Sequence, residues 1–587
     1  MLAASSTAGL FEWMFVIVPL TLFGAVVVGL WGAGRPRPGT PPWLSPAQRI
    51  SSSLERLLPF PSWATATVGV GLFALLVAVI GFYWDVGWHI DFGRDKELFT
   101  PPHTMILIGL ATILAAGVTE VVFATVTAAP TRLRWRSMRV PWSALPVLAI
   151  GAGALAGFPL DEVWHRAYGI DVTMWSPSHL LMIGGASLVP AALWLVLVEA
   201  GIRPTRRSVG GALHFIMAGA VLTGLSTMQG EFDFGVPQFQ LLYHPVLIML
   251  AAGIGLVTGR LVLGPGGALE TVLSFLLLRG LIALVVGPVL GHTFPHIPLY
   301  VGSAVAVEVA AALVRTDRLG RFALAAGLGI GTVGLVEAWG WSHVWAAYPW
   351  RASLLPAAAL IGPVAALGGA VIGGWFGRHL AGARPVLPRA ALAAAGVAFV
   401  LALAVPFPRT HGRVVGTLAV DRAGSEARVR LDVVPGSAAE HARWFDVLSW
   451  QGGTLIRTPL RETGPGSYAA ERPVPASGSW KTLVRLHRGT EMVALPVYMP
   501  ADPSIDATRI PAADRTTPFV RDTELLLRES KPGPTWPALL VYIAVAGIAA
   551  VWIVLLGLAA TKLPSSQTVT QVRPVAGQAA GGVRANR

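Results

Sequence analysis

Apolar runs of about twenty residues recur along the whole of this 587-residue chain, each long enough to cross about 30 Å of hydrocarbon as a helix. Thirteen are read: 10–32, 61–84, 103–127, 142–160, 179–200, 211–229, 241–259, 270–290, 297–314, 322–340, 354–376, 390–406 and 536–560. Composition agrees, because charged residues are 13% of the chain and hydrophobic ones 54%, whereas soluble domains carry about 25% charge. The expected fold is an all-α polytopic membrane protein of about 13 transmembrane helices.

The net charge of +13 raises the question of nucleic acid, and its placement answers it. Arginines crowd every second connection: Arg35, Arg49 and Arg56, then Arg132, Arg134, Arg136 and Arg139, then Arg203, Arg206 and Arg207, then Arg315, Arg318 and Arg321, then Arg378, Arg384 and Arg389. The alternate connections are nearly free of them. By the positive-inside rule the Arg-rich side faces the cytoplasm, which puts the N-terminus outside and the C-terminal tail inside a plasma membrane. The basic charge thus records topology, and no nucleic acid is called for. The chain has no cysteine, which excludes disulfides, thiolate metal sites and blue-copper centres. The first apolar run lacks a basic flank and carries Glu12, so it reads as a retained helix.

The chain divides into six parts. Residues 1–60 hold the first helix and a linker whose 43–60 stretch spaces its apolar residues helically, as a surface helix or a plain connection would. Residues 61–200 and 201–406 are transmembrane hairpins. From 407 to 530 short alternating runs such as Ala427-Arg-Val-Arg-Leu-Asp-Val-Val, bounded by Gly, Pro and Ser, predict an extracytoplasmic β-sandwich inserted before the last helix at 531–561. The Gly-, Ala-, Gln- and Arg-rich tail 562–587 is expected to be disordered.

Eight of the thirteen histidines fall at outer ends of the spans. Two clusters repeat each other. The first reads Asp85-Val-Gly-Trp88-His89, Arg94-Asp95, Thr100-Pro101-Pro102-His103; the second reads Asp161-Glu-Val-Trp164-His165, Ile170-Asp171, Ser176-Pro177-Ser178-His179. Asp, Trp, His, Asp, Ser/Thr, Pro and His fall at identical offsets, which points to duplication of a helix hairpin. Asp85 and His89 are four apart and share a helix face, and His103 opens the next helix behind a proline pair. One carboxylate and two imidazoles are a ligand set for copper, iron or zinc, so Asp85, His89, His103 and Asp161, His165, His179 are the predicted metal ligands. Asp95 and Asp171 are placed to orient a ligating imidazole from behind.

The pattern Asp-x-x-Trp-His, Arg-Asp, Thr-Pro-x-His over residues 81–185 resembles the metal-site motif of the C subunit of particulate methane and ammonia monooxygenases. In that family the pattern recurs on a later hairpin, often with Asn for Asp. The resemblance implies copper at Asp85, His89 and His103, a second set at Asp161, His165 and His179, and oxygenase chemistry. One extra residue precedes Thr100-Pro101 relative to the family, Ile170 replaces an Arg, and the chain has more spans and its own β-domain. Residues 407–503, through Gly466-Ser-Tyr468 and Gly478-Ser-Trp480, also resemble immunoglobulin-like periplasmic modules of copper-handling proteins.

Further outer residues, namely Glu231, Asp233, His244, His292, His296, Glu337 and His343, either line a cavity shared with these sets or are ordinary loop residues. Arg279 lies mid-span and is expected to pair with Glu308 on the next span. Three functions follow: a copper-dependent oxidase or oxygenase, or a subunit of one; a non-enzymatic copper-handling or oxidase-assembly protein; and a transporter or scaffold without metal. The partners expected are the bilayer, other membrane subunits, and a periplasmic copper or electron-transfer protein.

Overall fold

The computed structural model describes residues 8–36, 38–39, 41–93, 98–169, 173–384, 390, 393–397, 412–452, 454–529, 531 and 533–564. The predicted span 390–406 and the tail 562–587 lie mostly outside these residues, and Asp95 and Asp171 lie wholly outside them.

The chain is mostly helical, with a separate β-domain. Among the described residues eleven helices are long and apolar enough to cross a membrane. They are α1 (Leu10–Ala33), α3 (Ser62–Phe92), α4 (Pro101–Val126), α5 (Ala144–Tyr168), α6 (Pro177–Glu199), α7 (Val209–Thr227), α9 (Tyr243–Leu263), α10 (Gly267–Val289), α12 (Leu319–Val344), α13 (Ala352–Leu380) and α14 (Thr535–Lys562). Between them lie α2 (Ser45–Leu57), the single turn α8 (Gly230–Phe234), and α11 (Val301–Leu313). The last is apolar, but at 13 residues it spans only about 20 Å. Two cores organise the helices. Leu110, Trp194 and Trp552 belong to one, formed around α3 to α7 and α14. Phe275, Phe322 and Trp350 belong to the other, around α9 to α13.

The linker helix α2 turns its polar side inward. Ser53 donates to the Leu30 carbonyl at 2.7 Å and Arg56 to that of Ala33 at 2.6 Å, satisfying the orphan carbonyls that end α1.

The β-domain departs from a two-sheet sandwich. Ahead of it, β1 (Leu133–Trp135) and β2 (Met138–Val140) form a short hairpin; among the described residues the domain's strands are β3 (Val415–Ala423), β4 (Glu426–Val434), β5 (Trp444–Trp450), β6 (Ile456–Gly464), β7 (Ser467–Ala470), β8 (Val474–Pro475), β9 (Lys481–Arg488), β10 (Glu491–Tyr498), β11 (Arg515–Pro518) and β12 (Val520–Arg521). They run β11-β3-β4-β7-β6-β5-β9-β10-β12, with β8 beside β4. Strand β6 (Ile456–Gly464) pairs through Ile456–Pro459 with β5 (Trp444–Trp450) and through Leu460–Gly464 with β7 (Ser467–Ala470). At the other edge β11 (Arg515–Pro518) pairs with β3 (Val415–Ala423), and β12 (Val520–Arg521), one residue further on, pairs with β10 (Glu491–Tyr498). Both ends of the sheet are therefore joined by a strand that changes partners, and the sheet curls into a barrel-like domain. Its core includes Val429, Leu431, Val447, Val484, Leu486 and Leu495.

The barrel docks on the helix ends that carry the predicted ligands. The Gln451 amide donates to the Ile90 carbonyl at 3.2 Å, and the Lys531 amide to that of Tyr168 at 2.6 Å. The loop after α8 supplies further contacts. Leu241 N–H donates to His487 Nε2 at 3.0 Å, and Arg485 donates to the Pro237 carbonyl at 2.6 Å. Burial holds the His487 imidazole well below its ordinary pKa, which keeps Nε2 an acceptor.

Candidate metal centres

Each predicted ligand set is assembled by one hairpin. Helix α3 ends at Gly93, whose φ of +84° is one that glycine adopts without strain. The chain turns and re-enters as α4 with Pro101 in its first turn, where the missing N–H costs nothing. Gly169 (φ +82°) and Pro177 do the same between α5 and α6. Close packing fixes the spacing of each hairpin. A Cβ at Gly109 would sit 2.6 Å from Ala78 Cβ, and one at Gly185 would sit 2.8 Å from Ala154 Cβ.

The result is two matching triangles. His103 Nε2 lies 3.0 Å and His89 Nε2 3.5 Å from Asp85 Oδ1. His179 Nε2 lies 3.3 Å and His165 Nε2 3.6 Å from Asp161 Oδ1. In each set the three candidate ligand atoms lie within 4.8 Å of one another. Metal–ligand bonds near 2.1 Å in a tetrahedron place ligand atoms about 3.4 Å apart, so the spacing suits a single ion.

The tautomers support the same reading. His89 Nδ1 faces the Gly93 carbonyl at 3.0 Å and His103 Nδ1 the Leu98 carbonyl at 3.1 Å; His179 Nδ1 faces the Thr173 carbonyl. Carbonyls only accept, so each Nδ1 donates its proton there and each ring turns Nε2 toward a carboxylate. Lone pair against anion is repulsive unless a cation lies between. Protons would have to be supplied one per ring, making two imidazolium rings with centroids 5.7 Å apart in the first set. A single cation between the three ligand atoms would serve both rings at once. His165 Nε2 is buried without a hydrogen-bond partner, as a waiting ligand atom would be.

The sets differ in one respect. Ser178 donates to Asp161 Oδ1 at 2.7 Å, whereas the matching position in the first hairpin is Pro102, which has no donor.

Both sets line one cavity of about 750 Å³. Of the seven further outer residues, only Glu231 joins them there. Its carboxylate accepts from Gln238 N–H at 3.0 Å and Met174 N–H at 3.3 Å, and burial pushes its pKa up to about 7. Asp233, His244, His296 and Glu337 line a separate space of about 30 Å³. There Trp350 donates to His244 Nδ1 at 3.2 Å, and Glu337 accepts from Gly302 N–H at 2.6 Å at the start of α11. His292 instead pairs with buried Asp91 at 3.0 Å, and His343 is exposed with Nδ1 near the Trp339 carbonyl at 2.9 Å. The expected Arg279–Glu308 pair does not form. Arg279 bonds Asp233 at 2.8 Å and also Tyr83, while Glu308 bonds Arg260 at 2.8 Å and accepts from Ala268 N–H at 2.9 Å. Glu308 caps the start of α10, and Arg279, twelve residues along that helix, stands about 18 Å away.

Sequence reasoning missed the barrel's share of the cavity. Trp450, Gln451, Glu529 and Lys531 line its mouth, and no local pattern marks residues that meet the site only through docking. Asp91 was equally silent, being one more acidic residue beside a motif. Comparisons with protein-family models, curated proteins and solved structures give no match.

Proposed function

We propose that this chain is a multi-pass membrane metalloprotein that holds copper at two Asp–His–His sites on the outer face and carries oxidase- or oxygenase-type chemistry, alone or as a subunit. The observation that carries this reading is that both ligand sets face one cavity whose inner walls are apolar. Asp85, His89 and His103 would hold one ion, and Asp161, His165 and His179 the other. Copper is preferred because a histidine-rich N/O set binds Cu(II) most tightly among the common divalent ions, and because the motif resembles that of the copper monooxygenases; iron and zinc remain the competing ions. The ion would supply redox change and Lewis acidity. The protein's own part is to hold the imidazoles by their Nδ1–H bonds, to exclude water with an apolar wall, and to offer Glu231 as a carboxyl that exchanges a proton near neutral pH.

The two hairpins are read as a duplication. Asp85, His89, Gly93, His103 and Gly109 each recur 76 positions later as Asp161, His165, Gly169, His179 and Gly185. The topology that accompanies this reading has arginine-rich connections inside, with the ligand sets and barrel outside.

A copper-storing protein would share the ligands, but a long apolar cavity behind them favours conversion of an apolar substrate. Metal analysis of purified protein decides first. One or two copper or iron ions per chain, lost in His89→Ala/His103→Ala and in His165→Ala/His179→Ala separately, supports the sites, and oxygen uptake by the wild type but not the pairs supports catalysis. No metal after copper loading sinks the proposal and leaves a transporter or scaffold.

A further inference from the structure

The cavity that joins the two ligand sets is far deeper than they require. Along α3 its wall runs from His89 down to Leu72, seventeen residues and therefore about 25 Å of helix. On α6 it runs from His179 to Pro190, about 16 Å by the same rise. Helix α7 closes the deep part with Ile216 and Ala220, and α10 with Leu278.

Polarity is graded along this length. Near the ligands the wall holds Glu231, Gln238, Gln451 and Lys531. Between the ligands and the deep end Thr223 and Thr227 turn their hydroxyls to their own helix, donating to the Gly219 and Thr223 carbonyls at 2.8 and 3.0 Å. Apart from Ser187 on α6, what remains to meet a guest is their methyl groups and apolar side chains such as Leu72, Ile216 and Leu278. A space of about 750 Å³ equals about 25 water-sized volumes, and a one-carbon substrate would fill little of it. Water in an apolar recess of this size would find few polar partners on the walls, whereas an apolar guest needs none.

From this shape we infer that the cavity takes a single extended apolar chain, of the alkane, fatty-alcohol or acyl class, with its tail between α3, α6 and α7 and its reacting end between Asp85–His89–His103 and Asp161–His165–His179. The tail site stands on the cavity alone. The placing of the reacting end rests on the metal reading above.

The probe is 1-hexadecanol bearing a diazirine at the end remote from the hydroxyl, photolysed with the full-length protein in lipid nanodiscs and mapped by peptide mass spectrometry. Label is expected on Leu72–Leu76 of α3 and on Ile216–Ala220 of α7, and excess unlabelled hexadecanol should remove it. Ala220→Trp fills the middle of the cavity and should lower deep labelling at least tenfold with metal content unchanged. Ala186→Phe, from the facing wall on α6, makes the same test should the first variant fold poorly. A phosphatidylcholine with the same diazirine on one acyl chain tells the sources apart: deep label from it makes a bilayer lipid the occupant, and deep label from the alcohol alone makes it a free chain. Label confined to outward-facing residues such as Leu22 and Val26 of α1, and indifferent to both cavity variants, overturns the inference. Deep label in a protein that binds no metal keeps the chain site and removes the metal reading; bound metal without deep label does the reverse.

Discussion

Glu231→Gln gives a test whose sign changes with pH. Glu231 is buried in α8 on the cavity wall, and burial raises its carboxyl from 4.5 to about 7. A carboxyl whose folded pKa lies above its unfolded one contributes its full stability below the unfolded value, near pH 4.5, and loses it as pH rises through about 7. The shift of two to three units corresponds to about 3 kcal/mol lost between pH 4 and pH 8. Glutamine cannot ionise and escapes that loss. It keeps one acceptor for the Gln238 amide, but its NH₂ faces the Met174 N–H where an oxygen now accepts, at a cost of about 1 kcal/mol. The variant should therefore be about 1 kcal/mol less stable than wild type at pH 4, about equal at pH 5 and about 2 kcal/mol more stable at pH 8. Thermal unfolding followed by tryptophan fluorescence in nanodiscs measures the difference at each pH, and subtracting the two proteins cancels every other titrating group. Curves that stay parallel from pH 5 to pH 8 would refute the reasoning, because Glu231 would then keep an ordinary carboxylate pKa.

Three further outcomes follow from particular contacts. Arg279→Leu leaves Asp233 buried without its 2.8 Å partner and should cost about 3–5 kcal/mol, most of it recovered in Arg279→Leu/Asp233→Leu; equal losses in the single and double variants would show that the pair is not coupled. Ser178→Ala removes the hydroxyl that holds Asp161 and should weaken metal binding at the second set about 10–100-fold. Titration in a His89→Ala/His103→Ala background isolates that set, and unchanged affinity there would rule out the role given to Ser178. Gly109→Val places a side chain where even a Cβ would lie 2.6 Å from Ala78. The hairpin must spread, at about 1–3 kcal/mol, and metal analysis should show the first set emptied while the second keeps its ion.

How much of this could be read without coordinates depended on how far apart the cooperating residues lie. The helices were legible because a membrane-length apolar run needs no partner to declare itself, and the described spans fall where 10–32, 61–84 and 103–127 were drawn. Asp85, His89 and His103 were legible because one turn of helix and one short loop bring them together. The strands of the β-domain announced themselves by alternation, as in Glu426–Val434. Its closure did not, because β6 and the stretch 515–521 change partners midway, and pairing is a property of two segments.

The sequence by itself determined the helical, apolar character of the chain, the place of its β-domain, and the two local ligand triangles, since each is fixed by neighbours within about twenty residues. Tertiary structure alone decided that both triangles face one deep cavity, that Glu231 but not His244 or His296 lines it, that the barrel covers its mouth, and that Arg279 chooses Asp233 over Glu308. Those are choices among partners distant in the chain, and a buried charge or an open wall takes whichever group the packing of whole helices brings within a few ångströms.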